Sequence, residues 1–360
     1  MMTIFCCHLS YLAESPFQRL FSLIDYGRFG VNFFLVLSGF VLALGYSTKL
    51  DANNRIQDVS FVKKRIAKIY IPYLISLVLA LPLHIIIVTQ EEGLNVKLLL
   101  SRLIINIGMI QSIIPFNKYS TSINGVSWFI STIFIIYLLT PGIIRLNNKA
   151  AKHYTLLKLV FLIFVVLFFN CCFYMVIRQI EYIWFADRGL SIIYINPLIR
   201  LFPFLLGIVA YNIYCFSGDL KIKNGSLVEL LGIAVFFLWW IIADQTGFPT
   251  VVTECTDMLV SLFVILIFVF SDRGIISHLL SNKKILDLGN ISLDFYLFHY
   301  MVIQYAMIAA KHFSLDKGIG VLPLTILIFA ISLVGAYLIH NITEWLLLIW
   351  NKKQTLNYSS

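Results

Sequence analysis

The sequence predicts an all-α protein, a polytopic transmembrane bundle of about ten helices. Hydrophobic residues make up 60% of the 360 residues and charged residues only 12%. The mean hydropathy is +0.89, and long apolar runs alternate with short polar loops. This composition excludes a soluble globular chain. The net charge of +9 comes from cations in those loops, which favours the lipid bilayer over nucleic acid as the partner.

The predicted spans follow one another along the whole chain. A helix rises about 1.5 Å per residue and a bilayer core is about 30 Å thick. The first apolar run, residues 2–13, would be only about 18 Å long, so we expect this helix to be truncated at its N-terminus. The further predicted spans are residues 31–47, 69–89, 127–147, 156–177, 198–215, 227–243, 255–271, 289–310 and 321–350.

Charged residues in the loops predict the topology. Residues 98–116 are apolar but contain Arg102, Asn106 and Pro115, which indicates an interfacial or re-entrant helix rather than a span. The loops after every second span are then the ones rich in Lys and Arg, so both termini are predicted to be cytoplasmic. We expect one integral membrane domain over residues 1–350, a cytoplasmic tail at 351–360, and a multi-pass location in the inner (plasma) membrane.

A basic run follows the second predicted span, which carries the small residues Ser38 and Gly39 at its middle. In a helix, Lys64, Arg65 and Lys68 would share one cationic face, since residues three and four apart are neighbours. Such a face could hold the phosphates of a nucleotide-bearing donor. Spacing alone favours the alternative, a topology signal in contact with lipid.

Ionisable residues inside predicted spans are few and therefore informative. His8 is the candidate base, because an imidazole can take a proton from a hydroxyl near neutral pH. A histidine that only bonds two helices together is the alternative. Asp294 and His299 lie five residues apart in the ninth predicted span, so they should not share a helix face closely. The six cysteines show no disulfide or zinc-binding spacing, and no metal site is predicted.

Five motifs in order give the chain a resemblance to the acyltransferase-3 family of integral membrane acyltransferases. These motifs are FGVNFFLVLSGFVLALGY, FVKKRIAKIYIPY, VSWFISTIFIIYLLTP, INPLIRLFPFLLGIVAYNIY and LGNISLDFYLFHY, which ends just after His299. The chain departs from the family pattern at Asn32, where Asp is usual, at Lys68, where Arg is usual, and at Ile133, where Glu is usual. Family members also carry an Arg about ten residues before the first-helix histidine, a position that would precede Met1.

The resemblance implies a membrane-bound O-acyltransferase that uses acyl-CoA as co-substrate and binds no cofactor. It would transfer an acyl group, most simply acetyl, to a hydroxyl of a cell-surface sugar, polysaccharide or glycolipid. His8 would act as the base, and Lys64, Arg65 and Lys68 would hold the donor phosphates. The residues expected to line the cavity or bind the acceptor are Ser38, Trp128, Arg200, Asp294 and His299.

A transporter or flippase for a lipid-linked sugar or a polysaccharide is the alternative, since it would also need polar residues within many spans. Loss of a transporter removes the surface glycan, whereas loss of an acyltransferase removes only its ester. A purely structural membrane subunit would leave the intramembrane residues His8, Asp294 and His299 unexplained.

Overall fold

The computed structural model is helical throughout the part of the chain that it describes. The described residues are 2–10, 27–50, 55–91, 93, 95–185, 192–218, 220–246, 249–271, 274–313 and 321–357. None of them lies in a β-strand. The all-α prediction is therefore confirmed. Residues 11–13 of the first predicted span and residues 358–360 of the predicted tail lie outside the described residues.

The α-helices are numbered in chain order, and a short 3₁₀ helix, Gln111–Ile113, lies between α4 and α5. They are α1 (Met2–Ser10), α2 (Gly27–Tyr46), α3 (Arg55–Glu91), α4 (Val96–Ile107), α5 (Asn117–Ser120), α6 (Trp128–Ala151), α7 (Leu156–Phe185), α8 (Ile192–Ile195), α9 (Pro197–Ser217), α10 (Gly225–Thr246), α11 (Thr250–Ser271), α12 (Ile275–Leu280), α13 (Lys283–Asn290), α14 (Ser292–Phe313) and α15 (Val321–Asn357).

Eight of the described helices are long and apolar enough to cross a bilayer, which confirms a polytopic membrane protein. A ninth span results if α13 and α14, bent by 62° at their junction, cross together. The first predicted span is represented by α1, which has nine residues. The count of ten spans and the cytoplasmic termini stay predictions.

Two predicted boundaries differ from the structure, and one predicted element agrees with it. The basic run does not precede the third span: it lies on the same continuous helix, α3, which begins at Arg55 and passes through Pro72 and Pro82. Transmembrane helices tolerate internal prolines because neighbouring groups can satisfy the freed carbonyls. α15 continues to Asn357, so the predicted tail starts as helix. Residues 98–116 form α4 and the 3₁₀ helix, both too short to cross a bilayer, as predicted.

The chain divides into two compact units, and we describe each by itself. Unit 1 takes residues 1–25, 61–134 and 288–360, and unit 2 takes residues 26–60 and 135–287. Three of the four boundaries fall within α3, α6 and α13, and the fourth, between residues 25 and 26, lies outside the described residues. The prediction of a single domain over residues 1–350 stays a prediction.

Unit 1 has an apolar core between α1, α14 and α15. Phe5 and Leu9 of α1 pack against Phe295 of α14 and Ile328 of α15. Phe5 and Phe295 have ring centroids 5.7 Å apart. This core places the next polar residue of α1, His8, against α14.

Unit 2 is organised around the crossing of α2 and α9. Gly39 and Gly207 lie at the crossing, where a methyl group added to Gly207 would come 1.9 Å from the carbonyl oxygen of Val36. Only small residues allow two helix backbones to approach so closely. Asn196 caps α9 by accepting a hydrogen bond from the backbone N–H of Leu198 at 2.9 Å.

Candidate functional site

A histidine pair lies in unit 1, in which His299 is buried and His8 is partly exposed. The Nδ1 of His8 is 2.9 Å from the Nε2 of His299. The two ring planes are 29° apart and their centroids are 5.1 Å apart, so the rings meet edge to edge. His299 is 1% exposed, and its Nδ1 lies 3.0 Å from the backbone oxygen of Phe295, one helical turn earlier. Two residues far apart in sequence thus form one imidazole pair.

Aromatic rings surround this pair. The Phe295 ring lies parallel to that of His299, with a 3° interplanar angle and 5.6 Å between centroids. Tyr300 approaches His8 edge-on at 5.0 Å. These rings make the immediate surroundings of the imidazoles largely apolar among the described residues, so a charge placed there would be poorly solvated.

A polar segment ahead of α6 docks against α14 close to the pair. The Asn124 amide donates to the backbone oxygen of Leu297 at 2.9 Å, and the Tyr296 hydroxyl donates to that of Val126 at 2.8 Å. A methyl on Gly125 would lie 2.6 Å from the Tyr300 ring, so only glycine fits there. Ile123 has φ 63°, which is rare for a β-branched residue and marks local backbone strain.

This segment belongs to a buried hydrogen-bond network that sequence reasoning missed. The Tyr73 hydroxyl donates to the backbone oxygen of Asn106 at 2.7 Å and accepts from the Gln111 amide at 3.0 Å. The Ser112 and Ser131 hydroxyls are 2.7 Å apart. All five residues are buried. The density of Ser and Asn between residues 106 and 131 was the only sequence signal for it.

The other predicted unit 1 residues lie in separate surroundings. Lys64 and Lys68 are exposed on α3 and Arg65 is partly exposed, which leaves this cationic face accessible. Trp128 is buried at the start of α6. Asp294 pairs with His340 at 3.0 Å, so it has a different partner from His299, as their spacing predicted.

Unit 2 contains the remaining predicted residues and a buried charge cluster. Ser38 is half-buried on α2. Arg200 is 1% exposed, donates to the side-chain oxygen of Asn32 at 2.7 Å, and forms a short ion pair with Glu254. Its Nε donates to the backbone oxygen of Tyr194 at 2.8 Å. The Arg200 guanidinium therefore has three hydrogen-bonding partners among the described residues: Asn32, Glu254 and Tyr194.

A second ion pair extends this cluster. The Arg28 Nε is 3.0 Å from Asp257 and 3.9 Å from Glu254, and the Trp239 indole donates to Asp257 at 3.0 Å. Two guanidinium groups therefore face two carboxylates. Sequence analysis missed Arg28, Glu254 and Asp257, although the absence of Lys and Arg from residues 244–257 was a signal that these acids need partners elsewhere.

No group of three or more His, Cys, Asp or Glu side chains within the described ranges is placed to hold a metal ion. The cysteines Cys171 and Cys255 have their sulfur atoms 3.4 Å apart in unit 2.

The long apolar helices are those of a multi-pass membrane protein, and the His8–His299 pair places two ionisable side chains among its helices. The chain belongs to the acyltransferase-3 family: the family model, described as an acyltransferase domain, matches residues 1–341. The predicted family is confirmed, and acyl transfer is the general function.

One curated relative is the acyltransferase MdmB of Streptomyces mycarofaciens. The two chains are 24% identical over 362 residues, which cover 95% of this chain and 87% of the relative. No solved structure matches the chain.

Proposed function

We propose that the protein transfers an acyl group, most simply acetyl, from acyl-CoA to a hydroxyl of a cell-surface sugar, polysaccharide or glycolipid. The reaction would take place in the inner (plasma) membrane. The family match supports acyl transfer, and the His8–His299 pair is the observation that supports the chemistry. A neutral imidazole in an apolar site is a suitable acceptor for a hydroxyl proton.

In the proposed reaction, His8 removes the proton of the acceptor hydroxyl as its oxygen attacks the thioester carbonyl. The tetrahedral intermediate then collapses, the carbon–sulfur bond breaks, and the thiolate of CoA leaves. The proton on His8 passes to that thiolate, which restores the neutral imidazole. Protonation states and atoms therefore balance over one turnover without a bound cofactor.

The donor would be held by its phosphates. Lys64, Arg65 and Lys68 lie within four residues on α3, and all three are at least partly exposed. Guanidinium and ammonium groups form strong charge-assisted hydrogen bonds with phosphate oxygens. We assign these three residues to donor binding.

Of the residues predicted to bind the acceptor, we keep Trp128 and Asp294 in unit 1, while Ser38 in unit 2 stays a prediction from the sequence. Arg200 was predicted with them, but its guanidinium is engaged by Asn32, Glu254 and Tyr194. We therefore expect changes at Arg200 to affect folding before they affect acceptor binding.

Complementation of a gene deletion tests the proposal in cells. We expect the wild-type chain to restore O-acyl groups on the surface glycan, and His8→Ala to leave the glycan present but without the ester. His153→Ala is the matched control, because His153 is exposed in the loop after α6. Loss of the surface glycan itself in the deletion strain would favour the transporter instead.

Kinetics with the purified protein and acetyl-CoA separate the two groups of residues. We expect His8→Ala to lower kcat by about 10²–10⁴-fold, the range of general base catalysis. Arg65→Ala should instead raise KM for acetyl-CoA by about 10- to 100-fold, since a lost charge-assisted hydrogen bond costs about 1.5–3 kcal/mol. Unchanged kcat in a folded His8→Ala protein would contradict the assignment of the base.

A further inference from the structure

The hydrogen bonds of His299 determine where its proton lies. Its Nδ1 is 3.0 Å from the backbone oxygen of Phe295. A carbonyl oxygen can only accept a hydrogen bond, so this Nδ1 must carry a hydrogen. In a neutral imidazole only one nitrogen is protonated, and the Nε2 of His299 is therefore an acceptor.

The proton position of His8 follows from that of His299. The Nε2 of His299 faces the Nδ1 of His8 at 2.9 Å, edge to edge. Because the Nε2 of His299 accepts, the Nδ1 of His8 must donate. The Nε2 of His8 then carries the lone pair, and it makes no hydrogen bond to a described residue.

We propose that His299 is a positioning residue that holds His8 in the tautomer whose Nε2 is free to take a proton. This inference rests on the proposed function, in which His8 is the base. His299 does not touch the reacting atoms. His299 acts through His8. Phe295 in turn orients His299, because its ring lies parallel to the His299 ring and its backbone oxygen accepts the hydrogen bond from the His299 Nδ1.

The reverse hydrogen bond, in which the Nε2 of His299 donates to the Nδ1 of His8, is unfavourable in these surroundings. For His299 to donate from Nε2 it would have to be doubly protonated, since Nδ1 already needs its hydrogen. That cation would be 1% exposed beside the rings of Phe5 and Phe295. Asp294, the nearest acid in sequence, is paired with His340. A buried charge without a partner is strongly disfavoured.

The arrangement also suits the protonated state of the base. When the Nε2 of His8 takes the hydroxyl proton, its Nδ1 still donates to the neutral Nε2 of His299. The positive charge of the imidazolium is then stabilised by an acceptor that stays in place. Since no ring has to rotate or change tautomer, His8 can pass the proton on to the leaving thiolate from the same nitrogen.

Nitrogen NMR of the unmodified protein tests the tautomer directly. The full chain, labelled with ¹⁵N-histidine and placed in lipid nanodiscs, contains seven histidines, and a His8→Phe difference spectrum assigns the His8 signals. Protonated and unprotonated ring nitrogens have well-separated shifts. We expect neutral His8 to be protonated at Nδ1 and unprotonated at Nε2. A neutral His8 protonated at Nε2 would overturn the proposal.

Variants of His299 test the effect on the reaction. His299→Phe keeps a ring beside Phe295 but removes the acceptor, so His8 should also populate the Nε2-protonated form. We expect kcat to fall by about 10²-fold or more, as when a catalytic base loses the group that sets its tautomer, with KM for acetyl-CoA within about twofold. His299→Gln provides a side-chain oxygen that can accept from Nδ1, and it should retain at least about tenfold more kcat than His299→Phe.

The outcomes separate this inference from the proposed function. His153→Phe is the control and should change neither the His8 signals nor kcat. If His8→Ala is inactive but His299→Phe leaves the His8 tautomer and kcat unchanged, the base assignment stands and the positioning role fails. If the tautomer is as expected but His8→Ala is active, the proposed function fails instead. Equal loss in His299→Phe and His299→Gln would indicate a packing role and overturn the proposal.

Discussion

The two units bury polar groups in opposite ways. In unit 1 the contacts of the His8–His299 pair and of the Tyr73 network are between imidazoles, amides, hydroxyls and backbone carbonyls, while the buried carboxylate of Asp294 pairs with His340. In unit 2 the buried cluster consists of two guanidinium groups facing two carboxylates. A neutral imidazole can gain and lose a proton. In a cluster of paired charges, each ion is stabilised by its oppositely charged partner, so removal of one partner destabilises the other. Unit 1 is thus suited to proton transfer, and unit 2 to fixing helices in place.

The largest expected effect comes from breaking the charge balance of unit 2. Arg200→Met leaves Glu254 without its principal cation, and we expect a loss of about 3–5 kcal/mol in the free energy of unfolding. The measurement is the thermal unfolding of the purified protein in detergent. Arg178→Met, at an exposed position of α7, should have little effect.

A second substitution distinguishes lost charge balance from lost packing in this cluster. Adding Glu254→Gln to Arg200→Met removes the uncompensated charge, and we expect it to recover a large part of the lost stability. If the double variant is no more stable than Arg200→Met alone, the ion pair does not determine the stability of this cluster.

The helix crossing of unit 2 should be the next most sensitive feature. In Gly207→Ala the new methyl group would meet the Val36 carbonyl, so α2 and α9 must move apart. We expect a cost of about 1–3 kcal/mol, typical of overpacking. Gly142→Ala is the matched control, because a methyl there meets nothing within 4 Å. It should be neutral or slightly stabilising, and equal effects of the two would contradict the close crossing.

The smallest effect is expected in the neutral network of unit 1. Tyr73→Phe removes one hydroxyl, but the Gln111 amide keeps its hydrogen bond to the backbone oxygen of Ser127 at 3.0 Å. The two neutral hydrogen bonds of this hydroxyl are lost, but the backbone oxygen of Asn106 still accepts from the backbone N–H of Met109 at 2.9 Å, so we expect a total cost of about 0.5–1.5 kcal/mol. Thermal unfolding should show this decrease against Tyr337→Phe, which changes an exposed tyrosine. A loss as large as that of Arg200→Met would remove the distinction between the units.

Sequence reasoning predicted the elements better than their contacts. The apolar runs located the helices because hydrophobic length is a local property that the bilayer selects directly. Residues 98–116 were predicted not to span because Arg102 and Asn106 interrupt the run, and α4 ends at Ile107. The start of α3 at Arg55 was missed, since a helix that continues into the polar interface has no apolar signal.

The candidate site shows the limit of the same reasoning. His8 and His299 were each noticed because ionisable residues in spans are rare, yet the bond between them joins positions 291 residues apart. Glu254 and Asp257 were missed, because their partners Arg200 and Arg28 are on other helices. Ile123 gave no sequence signal for its positive φ, because a β-branched residue rarely adopts that conformation.

The sequence by itself determined the class of fold, the family and the types of residue available for acyl transfer, because these depend on composition, run length and local motifs. Only the tertiary structure decided which polar groups are paired. It placed His8 against His299, Asp294 against His340 and Arg200 against Glu254. The physical reason is that a polar group inside a helix bundle must find its partner on another helix, and helix packing alone determines which one it meets.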